Sequence, residues 1–184
     1  MGKKEIPIHY VCTYEKAQEL INQNKQFWLC NCGCREDNKG GCRRSRMDIC
    51  LMWAEDDPGS GSGKRTATKV EVDAIMKLAK EANLVTRPFR NEARTATDGI
   101  CFCCDCCCGY FQPGNDYTCD KGELIEQTMM DDCTHCGQCE AVCYFKARKM
   151  KDDKLVVERD NCYGCGLCVE ACPVGCIVLV KRSK

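Results

Sequence analysis

Two runs of cysteine near the C-terminus restrict this chain more than any other feature. The first is Cys133-x2-Cys136-x2-Cys139-x3-Cys143, and the second is Cys162-x2-Cys165-x2-Cys168-x3-Cys172, followed at once by Pro173. Each run offers three thiolates on a tight loop and a fourth displaced to the start of a helix. A [4Fe–4S] cube needs four thiolates, and in a doubled arrangement the fourth Cys of each run serves the other cube. One cube then takes Cys133, Cys136, Cys139 and Cys172, and the other takes Cys162, Cys165, Cys168 and Cys143. Two full copies in register, with 18 residues between Cys143 and Cys162, leave little room for chance.

Roughly residues 124–181 resemble the bacterial-type two-cluster ferredoxins. The spacer glycines Gly137 and Gly166 fit that pattern, since glycine lets the backbone pass close to a cluster and point amides at its sulfurs. One departure is Tyr144, where the first run lacks the usual proline after its fourth Cys. That exchange removes a stiffening residue but no ligand. Another is Cys176, at a position where the family has a small apolar residue, and a buried packing thiol is the expectation there. The resemblance implies an α+β module of duplicated strand–cluster loop–helix units over residues 116–184, carrying two [4Fe–4S] clusters and low-potential electrons.

Cysteine makes up 22 of the 184 residues, which by itself would suit a disulfide-stapled secreted scaffold. The N-terminus, however, has no apolar signal core, and no stretch approaches a membrane span. The cysteines also cluster at metal-ligand spacings that disulfide pairing does not need. The reading is a cytoplasmic protein of an anaerobe, because exposed clusters and thiolates oxidise readily. Without cysteine, apolar residues are only about 32% of the chain. A core that thin needs folding energy from cluster ligation. With 27 basic and 27 acidic residues the formal charge is zero, so no global field draws nucleic acid or an anionic membrane. The run Lys146, Arg148, Lys149 and Lys151 reads as a solvated loop, with a partial offset of the clusters' negative charge as the alternative.

Upstream, Thr13 is a plausible N-cap for a helix to Asn22 with Ala17, Leu20 and Ile21 on one face. Phe27 to Leu29 reads as a buried strand. Residues 54–65 read as a flexible loop, and the Gly63-Lys64 pair falls short of a phosphate-binding loop because Pro58 and Arg65 occupy its required Gly and Ser/Thr positions. Thr68 and Glu71 have capping-box spacing, so a helix should run from about 69 to 82 into a strand at Leu84–Thr86. Further strands are expected at Leu124–Met129, Leu155–Val157 and Ile177–Val180.

Fourteen cysteines remain after the eight ligands, eleven of them in two dense groups. These are Cys30, Cys32, Cys34, Cys42 and Cys50, then Cys101, Cys103, Cys104, Cys106, Cys107 and Cys108. Cys12, Cys119 and Cys176 stand outside. Neighbouring cysteines cannot all aim at one cubane. Taken together, Cys32-Gly33-Cys34-Arg35, Cys42, Cys50-Leu51 and Cys103 to Gly109 resemble a wider family of anaerobe ferredoxins with a Cys-rich N-terminal region. Residues 1–115 are therefore expected to form a small Cys-rich α+β lobe in which the two groups meet around at least one extra metal centre. The first-choice ligands are Cys32, Cys34, Cys42 and Cys50, joined by some of Cys103, Cys104, Cys106, Cys107 and Cys108. An additional iron–sulfur cluster leads, with a structural zinc site and a thiol–disulfide relay as alternatives. His135, inside the first cluster loop, is placed to shape potential or solvent access, while His9 reads as a surface or core residue. No catalytic base or organic-cofactor motif is visible. The functional expectation is a carrier serving redox partner proteins, with a redox enzyme or enzyme subunit as the alternative.

Overall fold

Helix α1 (Tyr14–Asn22) begins where Thr13, in extended conformation, accepts the Lys16 N–H on its hydroxyl. Helix α3 (Lys69–Glu81) begins on a complete capping box: Thr68 Oγ1 accepts from the Glu71 N–H, and the Glu71 carboxylate accepts from the Thr68 N–H. Between them lies the short helix α2 (Gly33–Glu36). The computed structural model describes residues 5–114 and 117–183.

Around these helices run strands β1 (His9–Tyr10), β2 (Phe27–Cys30), β3 (Cys50–Met52), β4 (Arg65–Ala67), β5 (Val85–Arg90), β6 (Thr97–Cys103) and β7 (Cys119–Asp120). They form one sheet in the order β4-β2-β3-β6-β5-β1-β7, antiparallel except for the β1–β7 pair. Successive side chains of a strand point to opposite faces. Phe27, Leu29, Leu51, Ile100 and Phe102 accordingly join the core formed with Ala17 and Ile21 of α1 and Val72, Ile75 and Ala79 of α3. Trp28, Cys30, Cys50, Met52, Phe89 and Cys101 form a second cluster. The helices thus cover one face, and the other face carries thiols. Residues 54–64 are a loop, as expected, but a tied one. The Ser62 N–H donates to Glu36 at 2.9 Å, and Asn31 donates to the Ser62 hydroxyl at 3.0 Å.

The C-terminal region contains β8 (Leu124–Thr128), α4 (Gln138–Ala141), β9 (Arg148–Lys151), β10 (Lys154–Val157), α5 (Leu167–Glu170) and β11 (Ile177–Lys181). Strand β8 pairs antiparallel with β11, and β9 with β10. Each cysteine run follows a strand and a 3-10 turn, Met130–Asp132 or Arg159–Asn161, and leads into a short helix. Backbones with positive φ recur at one common offset: His135 (52°) with Gly164 (74°), Gly137 (75°) with Gly166 (84°), and Lys146 (58°) with Gly175 (65°). Among the described residues no helix is long and apolar enough to cross a membrane.

The expected boundary at 115/116 falls next to β7, which still belongs to the N-terminal sheet, and 115 and 116 lie outside the described residues. The N- and C-terminal regions share a core, because Val142, Tyr144 and Leu167 pack into the cluster that holds the N-terminal helices. Tyr144 explains its own departure from the ferredoxin pattern. Its ring meets Phe111 edge-on at 5.7 Å and lies 4.9 Å under the Arg44 guanidinium, which in turn makes a bidentate pair with Asp105. A proline could not make these contacts. The expectation of a solvated basic loop at 146–151 needs correction twice, because Arg148–Lys151 is strand β9 and one of its residues is buried. Lys146, Lys149 and Lys151 are exposed, but Arg148 opens β9 pointing inward and is only 2% exposed.

Candidate metal centres

Cysteines line a pair of cavities in the C-terminal region, and each cavity takes three from one run and one from the other. The first is lined by Cys133, Cys136, Cys139 and Cys172, with Cys176, which belongs to neither run, as a fifth thiol. The second is lined by Cys162, Cys165, Cys168 and Cys143. Gly164 cannot be exchanged here: beyond its positive φ, a Cβ would stand 2.1 Å from the Leu124 carbonyl oxygen. His135 holds the first loop to β10, accepting the Leu155 N–H on Nδ1 at 3.0 Å, while its own N–H donates to Cys133 Sγ at 3.4 Å. Cys176 is buried, with Sγ 3.6 Å from Cys172 Sγ, and burial pushes its thiol up to about 12.

Between the two cavities stands Arg148. It donates through Nη1 to Cys139 Sγ at 3.5 Å and through Nη2 to Glu126 at 2.5 Å and Thr128 Oγ1 at 2.7 Å. It also lines the second cavity, where its charge opposes the burial that raises the Cys168 thiol. A buried guanidinium beside two sets of thiolates offsets some of their negative charge. Sequence reading placed this residue in solvent, because a basic run shows no signal for which of its members turns inward.

The N-terminal thiols divide into three sets. Strand register creates the first: Cys30 stands opposite Cys50, and Leu51 opposite Ile100, so Cys50 and Cys101 are neighbours on the thiol-bearing face. Cys101 Sγ lies 3.7 Å from His9 Nε2. Burial, and secondarily the Arg87 charge, lower the His9 imidazole to about 4. Cys50 thus has Cys30 and Cys101 as its cross-strand neighbours, whereas the sequence grouped it with Cys32, Cys34 and Cys42. Its actual neighbours were missed, although period-two alternation in Phe27–Cys30 and Ile100–Cys103 carries the signal.

Cys32, Cys34, Cys108 and Cys103 form the second set, a chain of neighbouring side chains. They line a cavity of about 480 Å³ on the same sheet face. Contact with Cys108 and Cys32 holds the Cys34 thiol well below its usual range, and contact with Cys108 outweighs burial to bring Cys103 down to about 6. Arg87 Nη1 reaches Cys108 Sγ at 3.2 Å and Cys103 Sγ at 3.7 Å. Arg35 and Arg87 both line this cavity, both are buried, and Arg35 Nη1 and Arg87 Nε have no partner among the described residues. Buried unpaired donors facing thiols mark a place for negative charge.

The third set is Cys42, Cys104, Cys106 and Cys107, whose sulfurs all lie within 4.8 Å of one another. The remaining thiol, Cys12, is buried against Thr86, and burial pushes it up to about 12. Cys119 lies beside Arg87.

Aromatic rings connect the cavity to the second cysteine loop. Arg87 lies 4.4 Å from the Tyr110 ring, Tyr110 meets Tyr163 and Phe145 at about 6 Å, and Phe145 stacks on Tyr163 at 4.3 Å. Tyr163 follows Cys162 directly. The first loop lies in a different packing cluster, and its Cys136 is exposed.

A family model described as a 4Fe-4S dicluster domain matches residues 132–176, the stretch that holds both cysteine-lined cavities. An uncharacterized ferredoxin of Methanocaldococcus jannaschii is 43% identical over 53 residues, 28% of this chain and 32% of the relative. A component of the Na(+)-translocating ferredoxin:NAD(+) oxidoreductase complex of Acetobacterium woodii is 42% identical over 53 residues, 28% of this chain and 16% of the relative. The chain thus spans a third or less of these two relatives. Ferredoxin-2 of Chlorobaculum tepidum is 36% identical over 56 residues, 27% of this chain and 90% of the relative. With 90% of that ferredoxin's length matched at 36% identity, the chain belongs to the ferredoxins.

Proposed function

We propose that the protein is a multi-centre electron carrier with two [4Fe–4S] clusters of crossed ligation and a further iron–sulfur centre in its N-terminal lobe. One observation carries the crossed assignment: Cys172 lines the cavity of Cys133, Cys136 and Cys139, and Cys143 lines that of Cys162, Cys165 and Cys168. Each duplicated unit then gives three thiolates to its own cube and lends one to the other. The cubes supply single-electron storage when bound. The chain sets their potential through Arg148, the His135 N–H and burial.

The further centre belongs in the cavity of Cys32, Cys34, Cys103 and Cys108, where Arg35 and Arg87 offer charge to an anionic cluster. Its position gives the carrier a direction. The first cube, with exposed Cys136, faces a protein partner, and the second leads through Tyr163, Phe145 and Tyr110 to the cavity. A redox complex of the kind named for the Acetobacterium relative is the partner class this favours. Cysteines clustered at metal-ligand spacings favour a reducing cytoplasm, as in an anaerobe.

A second reading rests on that same cavity, whose size and unpaired arginine donors also suit a small anionic substrate reduced with electrons from the cubes. A cluster there with an open iron site, or turnover of an organic substrate by the protein alone, would favour the enzyme.

Iron analysis of full-length variants tests the crossed ligation. Cys133→Ser and Cys172→Ser should each cost one cluster, about four irons, and together still only one. Cys172→Ser with Cys162→Ser should cost two. The reverse pattern would refute the assignment.

A further inference from the structure

The compact thiol set points to a centre of a different kind. We propose that Cys42, Cys104, Cys106 and Cys107 hold a single zinc ion, separate from every iron–sulfur cluster of the protein.

Spacing carries this. Cys42 Sγ lies 3.7 Å from Cys104 Sγ and 3.9 Å from Cys106 Sγ, and Cys106 Sγ lies 3.6 Å from both Cys104 and Cys107. Four sulfurs about 2.3 Å from one tetrahedral zinc stand about 3.8 Å apart. A cubane puts each thiolate on a different iron and so holds its sulfurs farther apart. The molecule contains its own control. Among the described residues the Cys42 set alone has its ligand atoms all within 4.8 Å of one another. Not even three cysteines of either ferredoxin quartet come that close together, nor do three of the Cys32, Cys34, Cys103 and Cys108 set.

The surroundings fit a closed thiolate site. Asn38 Nδ2 donates to Cys107 Sγ at 3.0 Å, Arg35 Nε to Cys42 Sγ at 3.2 Å, and Arg35 Nη2 to Cys104 Sγ at 3.7 Å. Four thiolates around a divalent ion leave two negative charges, and Arg35, 1% exposed, offsets one of them at the sulfurs. Soft tetrahedral thiolate sites select zinc or iron, and of these two divalent ions zinc binds the more tightly. The Cys104-x-Cys106-Cys107 spacing is tighter than in most zinc modules. Cys42, from a distant segment, closes the shell.

A zinc ion here does structural work. It ties the segment after α2, which itself holds Cys34 and Arg35, to the turn after β6, where Cys104, Cys107 and Cys108 all line the cavity. The ion thus fixes the walls of the 480 Å³ cavity while carrying no electrons. It also keeps four otherwise oxidisable thiols ligated.

The test uses the full chain, purified anaerobically from cells grown with both zinc and iron. Metal analysis should give about one zinc per chain, and zinc-edge X-ray absorption should show four sulfurs at about 2.3 Å with no metal neighbour. Cys106→Ser should abolish zinc binding while the iron of the two ferredoxin cubes stays in place. Cys34→Ser should leave the zinc in place, so absence of an iron–sulfur centre from the cavity would appear in the iron count alone. Should Cys106→Ser not fold, Cys106→His must retain the zinc with one sulfur replaced by nitrogen. Absence of zinc, a lone iron in the four-sulfur shell, or an unchanged shell in Cys106→His would each overturn the proposal.

Discussion

Replacing Arg148 by methionine should lower the potential of the first cluster and destabilise the fold, and the two effects can be separated. Reduction adds one negative charge to the proposed cube, whose proposed ligand Cys139 lies 3.5 Å from Arg148 Nη1. A guanidinium about 5–10 Å from that charge, at an effective dielectric near 20, favours the reduced state by about 2–3 kcal/mol. At about 59 mV per 1.4 kcal/mol for one electron, its loss lowers the potential by about 80–130 mV. The second cluster, whose cavity Arg148 also lines, should shift the same way. The substitution also leaves Glu126 buried without its main partner, since Arg159 reaches it only at 3.4 Å from an exposed position. Breaking a buried pair on one side costs about 3–5 kcal/mol. The double variant Glu126→Gln/Arg148→Met removes the stranded charge, so it should recover most of the stability and keep the potential shift. Anaerobic film voltammetry reads the potentials, and anaerobic thermal unfolding reads the stability. Unchanged potentials in both variants would refute the role given to Arg148.

Tyr144→Ala should cost about 3–5 kcal/mol by emptying the ring's place between Phe111 and Arg44. Tyr144→Phe should be neutral or slightly stabilising, because the buried hydroxyl has no partner among the described residues; thermal unfolding compares the two. Gly164→Ala should remove the second cluster with the first retained, measured as iron per chain, since its Cβ would collide with the Leu124 carbonyl. His9 is neutral when folded, with its pKa lowered from 6.5 to about 4. Between those values the unfolded chain binds more protons, so His9 adds nothing to pH sensitivity above about 6.5 and destabilises increasingly as pH falls toward 4, by at most about 3 kcal/mol. His9→Gln should flatten that stretch of the stability–pH curve, and an unchanged curve would contradict the burial argument.

Local order was legible wherever a local signal existed. Thr13 and Thr68 cap α1 and α3 as their sequences suggest, and the strands at Phe27, Leu124, Leu155 and Ile177 stand where apolar runs place them. Strand order was not legible, because β1, β5 and β7 meet through pairings set by the whole sheet. For the same reason the thiols could be named but not partitioned. Cys50 belongs with Cys30 and Cys101 by register, whereas Cys42 reaches Cys104 only through the fold of distant segments. Arg148 and Tyr144 show the same limit, since their burial depends on what the rest of the chain brings to them.

An anaerobic redox titration of the full-length protein, followed by electron paramagnetic resonance, bears most directly on the carrier with two cubanes. In Cys34→Ser, which lacks the N-terminal centre, full reduction should give signals from two one-electron [4Fe–4S] centres that broaden each other magnetically, and adding Cys172→Ser should leave one centre and an unbroadened signal. A single centre in Cys34→Ser, or two centres still mutually broadened once Cys172→Ser is added, would contradict the account.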